Sequence, residues 1–176
     1  YKVKDSLKEQ FLWTISDPKK TLSVATNKRL VDLKKYNYQS YQEKIKPHKA
    51  NIHFFQQNVT DSLAKLSSLT IGQKSKLEKL PPEEFKGNIS EILVYNRVLS
   101  GLETQKVASY LAIKYGVSLS QYDIKNYLNS QGQTIWDTEK HKGFTTSITA
   151  VGRDDASGLL QPKSSNMVEE GLLTIG

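Results

Sequence analysis

Glycoside hydrolysis needs two carboxyl groups flanking the scissile bond, one as acid and one as nucleophile or base. Two such residues spaced two apart on a strand share one face. Three places in this 176-residue chain invite that reading. Glu91 stands alone on its strand-like segment. Asp137 and Glu139 are two apart, but no third acid joins them and Lys140-His141-Lys142 follows, so they read as a loop after Trp136. Glu83-Glu84 lies beside Pro81-Pro82 in a polar, solvated stretch. A catalytic role for any of these is the minority reading.

Other chemistries leave fainter marks. Asp154-Asp155 is the metal candidate. Calcium takes roughly six to eight oxygen ligands, and two adjacent aspartates supply only part of such a shell. The competing reading is a turn in which Arg153 and the two aspartates form surface pairs, and it is preferred. His48, His53 and His141 are too separated to suggest a zinc motif, and the chain has no cysteine. No G-x-S-x-G elbow, phosphate-cradling glycine loop or EF-hand spacing occurs. Tyr36, Tyr38 and Tyr41 lie in the polar run Lys34–Gln42. A tyrosine ring with its polar tip suits sugar faces and protein partners, so these three are the ligand-binding candidates. Packing of the same face on a sheet explains them equally well.

The charge balance narrows the partners. The chain carries +7 overall. Residues 1–86 hold 16 lysines and Arg29 against 9 acids, a balance of +8, and the remainder carries −1. Only Arg29, Arg97 and Arg153 are arginine. Specific phosphate and base recognition leans on the planar arginine fork, so a solvated lysine-rich face is favoured over nucleic-acid recognition. No apolar run approaches the roughly 20 residues that span a bilayer, so membrane insertion is not expected. The chain begins at Tyr1 without methionine, which reads as a processed protein or a fragment.

The elements that must position these residues are mostly strands. Phe11–Ile15 and Thr21–Thr26 are rich in β-formers and flank the turn sequence Ser16-Asp-Pro-Lys-Lys20, so they predict a hairpin. Leu22 and Val24 alternate with Ser23 and Ala25, as in a strand with one buried face. Asn51–Phe55 and Ser68–Gly72 are further strand candidates. Leu30, Val31 and Leu33 fit either a strand or a short helical turn. Ile92-Leu-Val94 is a contiguous apolar run and predicts a strand between two covered faces.

A helix follows with complete punctuation. Ser100 and Glu103 form the S-x-x-E capping box. Val107, Tyr110, Leu111 and Tyr115 make one apolar stripe at helical spacing, from which Leu102 and Ile113 depart. Gly116 is placed to accept the left-handed conformation that ends a helix. The aromatic members of the stripe read as scaffold. Beyond Leu119 the character changes. Tyr122–Leu128 fits a short helix or an extended link, Gly132–Trp136 and Ser147–Gly152 read as strands, and Gly152–Gly158 is dense in turn formers. Met167–Gly176 ends on another strand.

Residues 11–119 resemble the later part of a laminin-G-like, concanavalin A-like jelly-roll module. The resemblance is carried by Phe85-Lys-Gly87, Ile89, Glu91–Arg97, Leu99-Ser100, Glu103, Tyr110-Leu111 and Lys114-Tyr-Gly116. Tyr127–Ser130, Thr134–Asp137 and Val151–Leu159 are similar to an uncharacterised β-rich region that follows such modules in large secreted bacterial surface proteins. The resemblance implies a mainly β chain in two parts. Residues 1–119 would form an antiparallel jelly-roll β-sandwich whose first strands lie before Tyr1, with one C-terminal amphipathic helix near 101–115. Residues 120–176 would begin a second β-rich domain.

The function implied is a non-catalytic binding or adhesion module of a secreted, multidomain bacterial surface protein. Its ligand would be a glycan or an extracellular protein, with neighbouring domains of the same chain as further partners. Calcium is the candidate cofactor. A glycoside hydrolase or its accessory domain, and a structural spacer, are the competing readings.

Overall fold

The computed structural model describes residues 10–16, 21–25, 29–32, 52, 54, 67–73, 85–119, 124, 126–168 and 171–176. The chain divides into two compact units, residues 1–47 with 59–94, and residues 48–58 with 95–176. The described residues are mostly short strands in small antiparallel sheets, with one α-helix.

The first unit contains a four-stranded sheet. Its strands are β1 (Phe11–Ser16), β2 (Thr21–Ala25), β3 (Arg29–Asp32) and β4 (Ser68–Ile71), in the order β3-β2-β1-β4. The hairpin expected from the turn sequence is present, with β1 antiparallel to β2 and Thr14 opposite Ser23. The ambiguity at Leu30 and Val31 resolves to a strand paired with β2. A register shift between Phe11 and Trp13 interrupts the β1–β2 ladder, the mark of a local bulge.

The sheet buries the face that hydropathy alone would leave in water. Thr14, Ser16 and Ser23 are buried, whereas Trp13 and Ile15 are half-buried and Leu69 and Ile71 are exposed. Trp13 pairs with Ile71 and Ile15 with Leu69, so these four share a face. On the other face Thr14 Oγ1 and Ser23 Oγ lie 3.1 Å apart, and Ser16 Oγ and Ser68 Oγ also lie 3.1 Å apart. Hydroxyl-to-hydroxyl bonds across the strands make this burial tolerable, because each buried polar atom finds a partner. On β2 the residue shown buried is therefore Ser23. The side chains of Leu22 and Val24 lie outside the described residues.

The segment Ile92–Tyr95 corrects the sequence reading. It forms no strand, and Leu93, Val94 and Tyr95 are 41%, 63% and 47% exposed. β-propensity records fit to a pleated, packed surface rather than an intrinsic preference, and no ladder reaches this run among the described residues. Ser147–Val151 likewise forms no strand. The strand begins only at Gly152, and Ser147 itself has a positive φ of 58°.

The second unit is organised around the helix α1 (Gly101–Tyr115). Its start follows the capping box as expected. Ser100 Oγ accepts the Glu103 N–H at 3.3 Å, and Glu103 Oε2 accepts the Ser100 N–H at 2.9 Å. Its end is Gly116 at φ 62° and ψ 37°, which satisfies a terminal carbonyl through Ala112. The buried face differs from the expected stripe. It consists of Ala108, Ser109, Ala112 and Ile113, while Val107, Tyr110, Leu111 and Tyr115 are half-buried. Small side chains let a helix approach its neighbours closely, so volume rather than hydropathy selects this face.

Around α1 lie three two-stranded sheets. β5 (Asn126–Leu128) pairs with β6 (Thr134–Asp137). β7 (Gly152–Asp154) pairs with β8 (Leu159–Gln161) across a 3-10 turn at Asp155–Ser157. β9 (Ser164–Val168) pairs with β10 (Gly171–Ile175). The core gathers Ile52, Ala108, Ala112, Ile113, Val117, Leu119 and Tyr127. Tyr127 is 1% exposed, and its Oη accepts the Leu119 N–H at 3.0 Å. Burial raises the phenol's pKa, which keeps the ring neutral and in place. Of the candidate strand Asn51–Phe55, the described residues are Ile52, buried, and Phe54, half-buried against this core. The rest of that segment lies outside the described residues.

Candidate functional site

In the second unit the last turn of α1 and strands β8, β9 and β10 line a shallow, open groove of about 420 Å3. Its lining is Lys114 and Tyr115 from α1, Gln161 from β8, Lys163, Ser164 and Ser165 at the start of β9, and Thr174 from β10. The volume falls in the roughly 300–1,000 Å3 range of ligand pockets. Among the described residues the lining holds two cations and no acid, together with three aliphatic hydroxyls, an amide and a phenol.

Local structure fixes several of these groups. Lys114 sits in the last turn of α1, where a cation is favoured by the helix dipole. Its Nζ donates to Tyr110 Oη at 2.5 Å and lies 4.9 Å from the Tyr110 ring centroid and 5.6 Å from that of Tyr115. The Tyr115 ring is within cation–π range, whereas the ammonium meets Tyr110 at its hydroxyl, beyond the ring edge. The ammonium is therefore held before any ligand arrives. Ser165 and Thr174 are register partners on adjacent strands, and both are exposed. Ser164 is buried and its Oγ accepts the Ala150 N–H at 3.4 Å. Gln161 Nε2 donates to the Lys163 carbonyl, which closes the tight link between β8 and β9.

Of the residues singled out from sequence, Tyr36, Tyr38 and Tyr41 lie outside the described residues. Asp154 and Asp155 are described, and their carboxylates serve different partners. Asp154 Oδ2 accepts the Ser130 N–H at 2.8 Å and Oδ1 accepts the Ser130 hydroxyl at 2.6 Å. The hydroxyl first, and then the amide, hold the Asp154 carboxyl below its usual range. Asp155 Oδ1 accepts from Arg153 Nε in an exposed ion pair. Among the described residues no group of three or more His, Cys, Asp or Glu gathers at one point.

The acids considered for hydrolysis are also placed. Asp137 Oδ1 accepts the backbone amides of Glu139 and Lys140 at 3.0 and 3.1 Å, so Asp137 caps the turn that leaves β6. Glu139 faces Lys142 at 3.6 Å on the surface. Glu91 is half-buried in the extended segment before Tyr95. His141 stacks on Trp136 with ring centroids 4.5 Å apart and planes 28° apart.

Sequence reasoning did not find the groove. Its lysines are 49 positions apart (Lys114 and Lys163), and its hydroxyls come from two strands. The only local sign is Pro162-Lys-Ser-Ser165, where turn-forming and polar residues cluster without a periodic apolar pattern.

Residues 103–176 match a family described as a domain of unknown function, DUF8202. The match spans α1 from its third residue to the end of the chain and contains the whole groove. No curated protein and no solved structure matches the chain.

Proposed function

We propose that the chain is a non-catalytic binding or adhesion module of a secreted, multidomain bacterial surface protein, with a carbohydrate or extracellular protein ligand. The groove beside Lys114 carries this reading. It combines the held ammonium of Lys114 and the exposed Lys163 with hydroxyl and amide groups that can exchange hydrogen bonds with a polar ligand, and no acid stands among its described lining residues. Acids are what glycoside hydrolysis requires. Asp137, the residue best spaced for such a role, spends one carboxylate oxygen on two backbone amides.

On this reading the four-stranded sheet of the first unit is part of a laminin-G-like, concanavalin A-like jelly-roll sandwich. Support comes from its antiparallel topology and from the motif residues themselves. Arg97 and Glu103 pair through two bonds of 2.8 and 2.6 Å, and Glu103 also completes the helix cap. The signature N-R-x-L-S-x-x-E thus has a structural reason in this chain. Fold alone does not assign a ligand.

The test is a broad array of glycans and extracellular matrix proteins probed with the whole chain. Saturable binding to a ligand class, with no hydrolysis of that class, is the expected result. Hydrolysis of a polysaccharide, lost on Asp137→Asn or Glu91→Gln, would replace this reading with an enzymatic one.

A further inference from the structure

We propose that the groove at the end of α1 binds the carboxylate-bearing unit of an acidic saccharide. This rests on the binding-module reading above and names its ligand class. The argument starts from charge. Among the described lining residues Lys114 and Lys163 are the ionised groups, and both are cationic. Lys114 is held by the Tyr110 hydroxyl and lies near the Tyr115 ring. An ammonium fixed in advance loses less freedom when it meets an anion.

Hydroxyl chemistry selects the rest of the ligand. Ser165 and Thr174 add hydroxyls and Gln161 an amide oxygen to the lining, and a ligand rich in hydroxyls can use donors and acceptors alike. Nucleic acid fits less well. Among the described lining residues there is no arginine to fork a phosphate, and the ring of Tyr115 packs on the core. A carboxylate at the ammoniums, with sugar hydroxyls toward Ser165 and Thr174, uses the cations and the exposed hydroxyls of the lining.

The experiment is calorimetric titration of the whole chain with trigalacturonate, galactotriose and a sulfated galactotriose, at low and high salt. Trigalacturonate should bind, and galactotriose should bind at least about tenfold more weakly, the scale of one lost charge-assisted bond. Lys163→Gln should weaken trigalacturonate by about tenfold without moving the melting midpoint. Ser165→Glu places a repelling charge at an exposed groove position and should abolish binding while the chain stays folded. Lys114→Gln should weaken binding as well, and the other two variants decide the matter if this one unfolds.

Equal binding of neutral and acidic trisaccharides would overturn the acid assignment and leave the binding-module reading standing. Preference for the sulfated sugar over the uronate would overturn the carboxylate assignment alone. Binding of other array ligands with no saccharide among them would remove the groove proposal only. Silence across the entire array would remove both readings.

Discussion

Ser109 Oγ accepts the Leu128 N–H at 2.8 Å while donating its own proton to the Gln105 carbonyl at 2.8 Å. One turn earlier, Gln105 Nε2 donates to the Asn126 carbonyl at 2.9 Å. Among the described residues strand β5 has β6 alone as a strand neighbour. Its other edge is therefore satisfied by two side chains of α1, at i and i+4 on one helix face, in place of a further strand.

Removing the hydroxyl should expose what it hides. Ser109 and Leu128 are both buried, so Ser109→Ala leaves a buried N–H without an acceptor. The expected loss is about 1–3 kcal/mol of unfolding free energy. Gln105→Ala should cost less, because Asn126 is half-buried and water can reach its carbonyl. Urea denaturation of both variants checks the ranking, and a Gln105 variant that costs as much as the Ser109 one would refute it.

The helix start sets a pH dependence. Arg97 first, and then the Ser100 amide and hydroxyl, lower the Glu103 carboxyl from 4.5 to about 2. A carboxyl with a depressed folded-state pKa binds protons more weakly when folded. Its stabilisation is present above about pH 4.5 and is lost as pH falls toward about 2. Both side chains are substantially exposed, so the effect is small and salt-sensitive. Melting curves of the parent and Glu103→Gln should differ at neutral pH and converge in that acidic window. A difference that stays constant down to pH 2 would refute the assignment.

Asp154 acts as a clip between two hairpins, tying Ser130 in the β5–β6 turn to the end of β7. Ser130→Ala should raise the Asp154 pKa toward its usual range, since the hydroxyl is the largest cause of its depression. Carbon-detected NMR titration reads this directly. Because Asp155 is engaged with Arg153, millimolar calcium should leave the Asp154 and Asp155 resonances and the melting midpoint unchanged. Saturable shifts at both carboxylates on adding calcium would establish the metal site instead.

The chain announces its helix more openly than its sheets. Ser100, Glu103 and Gly116 act within a few residues of one another, so spacing alone predicts their roles. Ile92–Val94 shows the opposite case. Its side chains favour a strand, but pairing depends on a distant segment, and local sequence carries no record of whether that partner is present. The buried faces mislead for a related reason. Thr14, Ser16 and Ser23 bury hydroxyls that satisfy one another across strands, and Ala108 and Ala112 are buried because they are small. Hydropathy scores neither cross-strand pairing nor volume. The groove is the least legible feature, because its residues meet only after α1 and three strands have packed.

Trp136 offers a test of how the second unit handles an unsatisfied donor. Its Nε1 is buried and has no acceptor among the described residues, while its ring stacks on His141 and packs against the core. A buried donor without a partner costs about 1–3 kcal/mol, and phenylalanine removes that donor while keeping an aromatic ring in the same place. Smaller ring area works the other way, since shortening a buried side chain loses contacts and leaves a void. The two effects oppose each other, so Trp136→Phe should change stability by no more than about 1 kcal/mol. Trp136→Ala loses the whole ring and should cost about 3–5 kcal/mol. Denaturation followed by far-ultraviolet circular dichroism avoids reliance on the tryptophan signal. A Phe variant as damaging as the Ala variant would refute this balance between the two effects.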